Sequence, residues 1–460
     1  MKKLLFVLFM CDFLTVAYSQ TFTLNDCMQY AIEKNQSVKR QQYTNENYRQ
    51  DYIQSIATML PDLSVNSGLS ANYGRSIDPK TNTYTTTGNL GNSYSLYGEI
   101  PLFAGFQHIN TVRVNKVMRL MGVEKLQQTK DDIAIKTMQS YFDVVYFTNG
   151  VKITEDQLKT SRTTLEQSRK MYELGRKSLA DVAQVESQVA SDELLLVQQK
   201  NKLALAELAL KQQMNYPIKE TLVIDTDIDA GLDFLIANGV FEDTTVQGGE
   251  LAAGTVGDLV DFALANNPKM KASRYNVRQT QLNLYVTQGR YVPQIYGNGG
   301  FSTNYYKELS GENIAAREQA KFFSQLTDNR GYYFGASISI PIFRGLSRRT
   351  AVHKAKNAYK IAQEDNSETE LAVKTEVTQA VLEMRGFEKE YEQATKKVVA
   401  SQLAHEASLN KYKQGLISPI DLQTTSNQLL MAKSEQLNAH LQFLVKSRLV
   451  DYYSGEPLVK

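Results

Sequence analysis

The chain has no tryptophan, two cysteines and nine prolines in 460 residues. Each scarcity excludes something. One cysteine, Cys11, lies in the apolar N-terminus; with only Cys27 beyond it, no disulfide is expected within the mature chain. Charge of neither sign is in excess: 51 Lys and Arg against 49 Asp and Glu give a net charge of +2, which argues against nucleic acid as a partner. Beyond the N-terminus there is no uncharged apolar run long enough for a membrane-crossing helix. Histidine is rare too. His108, His353, His405 and His440 are scattered through helical stretches at no metal-ligand spacing, and are read as members of solvated faces. Without a nucleophile motif or phosphate loop, neither an enzyme nor a metal or other cofactor is expected.

What is present begins with a leader. Lys2 and Lys3 precede the apolar run Leu4 to Met10, and Ala17-Tyr18-Ser19 forms a small-x-small site before Gln20. Residues 1–19 read as a cleaved secretory signal peptide. Asp12 interrupts the run, so a membrane anchor is disfavoured, and Phe9 and Met10 do not suit lipid attachment at Cys11.

The rest of the chain is written twice. Thr23, Asp26, Ala31, Asn35 and Lys39 recur in register as Thr255, Asp258, Ala263, Asn267 and Lys271, and Pro61 and Pro293 keep the same offset. From Pro101/Pro341 onward the offset is eight residues larger and stays constant through Phe103/Phe343, Gly105/Gly345, Tyr172/Tyr412, Gly175/Gly415, Ser178/Ser418, Asp181/Asp421 and Pro217/Pro457. Loops tolerate insertion and packed elements do not, so the extra residues belong to a loop within Tyr306 to Gly331. The organisation is a first repeat over 20–217, a Gly/Asp/Thr-rich linker over 218–254, and a second repeat over 255–460.

Each repeat carries two segments of period two. Leu63, Val65, Ser67, Leu69, Ala71 and Tyr73 alternate with Ser64, Asn66, Gly68, Ser70 and Asn72. Tyr94, Leu96, Gly98 and Ile100 do the same, as do Ile295 to Tyr305 and Phe334, Ala336, Ile338 and Ile340. These are half-buried strands: either surface hairpins, or strands about ten residues long that cross a membrane with aromatic residues at their ends. Four strands cannot close a barrel, and an open edge cannot sit in lipid. If they cross a membrane, several chains share one barrel.

Helical pattern fills the remainder. No proline falls between Pro101 and Pro217, or between Pro341 and Pro419. The helix expected from Gln107 to Glu173 would be roughly 67 residues, about 100 Å long. In the second repeat Val373, Val377, Ala380, Met384, Phe387, Tyr391, Ala394 and Val398 step alternately by four and three, a heptad seam of mixed and often small residues. One helix is expected from Leu24 to Met59 and another from Ser178 to Gln213, so that two shorter helices end to end match the long one. The fold class is mainly α with β: an all-helical coiled-coil part and four strands per chain, with an internal two-fold repeat.

The repeat, the motifs Pro101-Leu102-Phe103-Ala104-Gly105 and Pro341-Ile342-Phe343-Arg344-Gly345, the Asn267-Pro268 pair, and the turns "YELGRKSLAD" and "YKQGLISPID" together resemble the TolC family of outer-membrane efflux proteins over nearly all of the mature chain. The resemblance implies a homotrimer in which three chains share a twelve-stranded barrel in outer-membrane lipid, continued by a helical tunnel across the periplasm of a Gram-negative cell. It implies a passive exit channel in tripartite efflux or type I secretion, with a periplasmic adaptor and an inner-membrane pump as partners. The alternative is a secreted or surface coiled-coil structural protein.

The turns have two readings. Gly175 and Gly415 suit helix ends, while Ser178 with Asp181 and Ser418 with Asp421 suit capping boxes. By resemblance, Asp421 falls on an acidic constriction ring, Asp181 lies in the equivalent turn, and Tyr172 and Tyr412 fall on gating positions. A second ring acid would fall at Thr424 and a basic lock at Ile417, so both are missing; Lys177, Arg176 or Lys413 are candidates to stand in near Asp181. Adaptor docking is expected around Gly175 and Arg176, and around Gly415 and Leu416. Pro101, Phe103 and Gly105, with Pro341, Phe343 and Gly345, read as strand–helix junctions at which proline ends strand pairing, glycine turns the chain and phenylalanine packs at the seam.

Overall fold

The computed structural model describes residues 21–77, 82–226, 253–310 and 321–459. The signal-peptide reading and most of the linker lie outside them. The elements run α1 (Leu24–Lys34), α2 (Gln36–Ala57), β1 (Asp62–Ile77), β2 (Tyr84–Ala104), α3 (Gln107–Glu173), α4 (Leu179–Met214), α5 (Ala253–Asn266), α6 (Pro268–Gln288), a short 3-10 turn (Gly289–Tyr291), β3 (Gln294–Ser310), α7 (Phe322–Asp328), β4 (Gly331–Ser339), α8 (Ser347–Lys413) and α9 (Pro419–Ser454). The repeat is plain in the lengths. The long helices α3 and α8 have 67 residues each, and the helices after them, α4 and α9, have 36 each. None of the described helices is long and apolar enough to cross a membrane.

One expected helix is two. The Leu24 to Met59 stretch breaks at Asn35, whose backbone is extended at φ −65° and ψ 133°. Its side-chain oxygen accepts the Ser37 amide at 2.8 Å and restarts the helix. Asn267 does the same for the Lys269 amide at 2.9 Å between α5 and α6, where Pro268 needs no donor. The repeat had marked Asn35 and Asn267 as equivalent; their common task is to cap.

The chain folds as two compact units, each drawing on both repeats. The first comprises Met1–Gln42, Glu124–Lys271 and Glu368–Lys460. In its largest core Cys27 and Ala31 of α1 meet Ile133, Tyr141 and Val144 of α3, Leu210 and Met214 of α4, and Leu441 and Leu444 of α9. Burial pushes the Cys27 thiol up to about 12, so it is inert. Beyond α4 the chain returns beside its start: Phe22 donates its amide to the Val223 carbonyl at 2.9 Å, the Asp225 amide donates to Phe22 at 3.0 Å, and the Tyr141 hydroxyl donates to the Asp225 carbonyl at 2.5 Å. The heptad seam of α8 faces inward. Val373, Val377 and Ala380 are buried with Ala263 and Tyr453, and Met384 to Val398 are half-buried.

The second unit, Tyr43–Val123 with Ala272–Ser367, holds the sheet. Its four strands are antiparallel in the order β1-β2-β3-β4. Cross-strand partners share a face. The register therefore places Val65, Leu96, Phe301 and Tyr332 in one row and Leu63, Gly98, Gly299 and Phe334 in the next. All four apolar rows read from the sequence fall on this one face, and little of the chain covers it: Leu63, Val65 and Leu69 are 70%, 79% and 71% exposed and Phe334 89%. The other face carries Ser64, Asn66, Ser95, Asn298 and Ser337. A face of that size left bare of protein is the face of a membrane strand.

Two junction expectations need correction. Pro101 does not end its strand. It is paired with Tyr296, the ladder slips by one residue between Pro101 and Phe103, and pairing resumes as Phe103 with Ile295 and Ala104 with Gln294. The bulge absorbs the missing donor. Pro341 lies outside β4, which stops at Ser339.

Candidate functional site

The turn between α3 and α4 is built twice over, once per repeat. Gly175 takes φ +72° and Gly415, between α8 and α9, φ +76°. In the first turn the Gly175 amide donates to Tyr172 at 2.9 Å and the Arg176 amide to Met171 at 2.8 Å. In the second, Gly415 donates to Tyr412 at 2.9 Å and Leu416 to Lys411 at 3.0 Å. Both are Schellman closures, which leave the last carbonyls of the helix satisfied and require a left-handed residue. No described residue lies within 4 Å of a Cβ placed on either glycine.

The returning helices start identically. The Ser178 amide and hydroxyl donate to Asp181 Oδ2 at 3.0 and 2.8 Å, and the Asp181 amide donates back at 3.1 Å. Ser418 and Asp421 repeat this at 3.2, 2.8 and 3.2 Å, with Pro419 following the cap. The Ser178 backbone amide, then its hydroxyl, hold the Asp181 carboxyl below the usual carboxylate range. Asp421 is solvent-exposed and Asp181 half-buried, so at Asp421 the capping role leaves the charge available outside.

The two tyrosines three residues before the glycines differ. Tyr412 is fully buried while Tyr172 is 45% exposed. The Tyr412 hydroxyl is 2.6 Å from Ser168 Oγ on α3, and Lys177 Nζ sits 3.8 Å from the centre of its ring. Tyr412 thus ties the second helical hairpin to the first from both sides. Burial lowers the Lys177 pKa against the opposing pull of Asp181, and burial raises that of Tyr412. Of the three candidates to stand in near Asp181, Lys177 is the one whose ammonium caps the buried ring.

Above this lock the helices meet through a polar interior. Asp192, 3% exposed, is bonded by the Ser161 hydroxyl and by Gln188 Nε2 at 2.7 Å. Gln157 donates to Ser426 at 2.6 Å and Gln184 to Gln423 at 3.2 Å, joining α3 and α4 to α9. His405 is buried here, with Nδ1 enclosed and without a hydrogen-bond partner among the described residues. Burial first, then the Lys433 charge, lower its pKa. The solvated-face reading of the histidines fails at His405 and also at His440, which stacks on Tyr391 at 4.5 Å. The signal was in the sequence: His405 and Tyr412 continue the heptad at seven-residue steps beyond Val398.

At the strand–helix junctions the repeats diverge again. Gly105 and Phe106 both have φ +60°, and Gly345 and Leu346 have φ +53° and +60°. A Cβ on Gly105 would stand 2.4 Å from the Gly289 carbonyl oxygen, whereas one on Gly345 would meet nothing within 4 Å. Phe103 is half-buried against Phe106, edge to face at 5.4 Å; Phe343 is 77% exposed.

Comparison with known proteins agrees with this architecture. Residues 27–215 and 259–451 match the family "Outer membrane efflux protein". The chain is 20% identical to the outer membrane protein TolC of Vibrio cholerae over 323 residues, 69% of this chain and 66% of the relative, just under two thirds of its length. Its fold is shared with CusC (TM-score 0.78, 15% identity, covering 94% of this chain and 92% of the other), with VceC of Vibrio cholerae (0.76, 15%, 95% and 96%), and with the open state of the MtrE channel of Neisseria gonorrhoeae (0.70, 18%, 94% and 88%). The two matched segments fall one in each repeat and take in most of the helices and strands described above, so the chain belongs to the outer membrane efflux protein family.

Proposed function

We propose that this chain is the outer-membrane exit duct of an export assembly, working as a homotrimer with a periplasmic adaptor and an inner-membrane pump. The observation that carries the reading is the sheet: four strands with two free edges, one bare apolar face and one polar face on which Ser, Asn, Glu99 and the tyrosines Tyr97, Tyr296 and Tyr333 lie. Alone it can neither close nor be buried in lipid. Three copies supply twelve strands, a closed barrel, a lipid-facing exterior and a wettable lumen. A secreted coiled-coil rod has no use for such a sheet.

The helical part would continue the lumen into the periplasm, and the turns at Gly175 and Gly415 would form its mouth. There Asp421 has its carboxylate exposed while its cap is complete, so three copies would ring the opening with negative charge and favour cations. Leu174, Arg176 and Leu416, on the open side of the turns, would meet the adaptor. The test is single-channel recording in planar bilayers of Asp421→Asn, which keeps an acceptor for Ser418 and removes the charge. Cation selectivity is expected to fall and conductance to change; a variant indistinguishable from the parent refutes the ring.

A further inference from the structure

The second hairpin is not a copy of the first. At the constant offset of the repeat, Tyr84 to Asn92 of β2 correspond to Ser324 to Tyr332. In the first repeat these positions are strand; in the second most of them are the helix α7 and the turn after it. β4 therefore begins only at Gly331, opposite Ser302, and has 9 residues where β2 has 21. Where the first repeat has the outer half of a strand, the second has a helix.

That helix occupies the edge it has vacated. The Tyr306 amide donates to Gln325 Oε1 at 2.9 Å and Gln325 Nε2 donates back to the Tyr306 carbonyl at 2.9 Å. This is the pair of bonds a neighbouring strand residue would make. Asn329 Nδ2 donates to the Asn304 carbonyl at 2.8 Å, and the Thr303 hydroxyl to the Leu326 carbonyl at 2.7 Å. No further strand can add to β3 there.

We infer that α7 is a subunit-contact element, which stands in for the outer half of β4 and packs against the outer half of β1 in a second copy of this chain. The inference rests on the trimeric reading above. Between copies, the 9 residues of β4 cannot pair with all 16 of β1. The remaining β1 backbone cannot face lipid unpaired. Lipid offers it no hydrogen bonds, whereas α7 exposes Ser324, Thr327 and Asp328. The apolar parts match as well. Phe322 packs on Tyr305 of the lipid-side face at 4.9 Å, next to Phe323, which is 79% exposed; β1 presents Leu69 and Tyr73, each 71% exposed, on the same face.

Two sets of paired cysteines test this in outer-membrane fractions treated with a short bismaleimide. The native Cys27 is buried with its thiol pushed up to about 12, and stays silent. Phe323→Cys is combined in turn with Leu69→Cys, Ala71→Cys and Tyr73→Cys; Ser337→Cys is combined with Ser64→Cys and Asn66→Cys to report the β4–β1 seam. Covalent dimers and trimers from both sets are expected, with Gln325→Ala reducing the Phe323→Cys yield several-fold and leaving the Ser337→Cys yield unchanged. Links at Ser337→Cys without links at Phe323→Cys overturn the role of α7 while keeping the trimer. Labelling of Phe323→Cys by a membrane-dissolved maleimide at the rate of a bare lipid-facing position overturns it in favour of lipid. No links in either set refute the trimer, and the inference with it.

Discussion

Replacing Lys177 by methionine isolates the lock at the helix turns. The side chain keeps its apolar stem and loses the ammonium that sits 3.8 Å from the Tyr412 ring centre. A cation over an aromatic face contributes about 0.5 kcal/mol when exposed and about 2 kcal/mol when desolvated. Lys177 is only partly withdrawn from water, as the direction of its pKa shift reflects, so the lower half of that range applies. At about 1.4 kcal/mol per tenfold, the tip should open roughly two- to eightfold more often. Tyr412→Phe is the complementary change. It retains the ring under Lys177 and removes the bond to Ser168, whose hydroxyl keeps its second contact with the Thr164 carbonyl at 2.7 Å. The cost should be about 1 kcal/mol, the net value of a hydrogen bond whose partner stays satisfied. Tyr412→Ala should cost about 3–5 kcal/mol, because it empties a fully buried site. Single-channel open probability at low voltage should rank parent, then the two mild variants, then Tyr412→Ala. Parental open probability in both Lys177→Met and Tyr412→Ala would show that the lock does not hold the tip, and the reasoning would fall.

Three further outcomes follow from the same contacts. Gly105→Ala should severely impair folding, since its Cβ meets the Gly289 carbonyl at 2.4 Å, whereas Gly345→Ala should cost about 1–2 kcal/mol, the left-handed backbone alone; heat resistance of the assembled protein separates them. His405 has a depressed pKa, so its stabilising contribution is present above the ordinary value of about 6.5 and is lost as pH falls from there through the folded value; His405→Gln should flatten the fall in melting temperature below about pH 6.5. The charges facing His405 in that experiment are Lys433 and Glu406, and the melt should be repeated with Lys433→Gln to separate their share. Gly415→Trp should abolish transport yet leave trimers intact on gels: its Cβ meets no described residue within 4 Å, and the left-handed backbone costs only about 1–2 kcal/mol, so the loss of transport would report an outside partner.

Much of this fold was legible because its signals are periodic. A 67-residue helix needs no distant partner to announce itself; the lack of proline and the heptad suffice, and both ends fell where glycine and capping residues stand. Alternation assigned every strand face, and the register later placed all four apolar rows together. Capping is equally local, since Ser178 and Asp181 lie within one helical turn.

What escaped the sequence depends on contacts between segments far apart in it. Pro101 reads as a strand end, but Tyr296 and Ile295 of the neighbouring strand hold the chain on either side of a bulge. Tyr172 and Tyr412 are equivalent by position; only the packing of Ser168 and Lys177 around one of them separates a buried lock from an exposed ring. Tyr84 to Asn92 and Ser324 to Tyr332 are equivalent by offset, yet the bonds of Gln325 to the edge of β3 hold a helix where the first repeat has strand. The sequence by itself determined the repeat, the helix lengths and the amphipathic strands, since those are patterns within one segment. The tertiary structure decided which member of each repeated pair became buried, bulged or helical, because that choice belongs to a neighbour no local pattern can name.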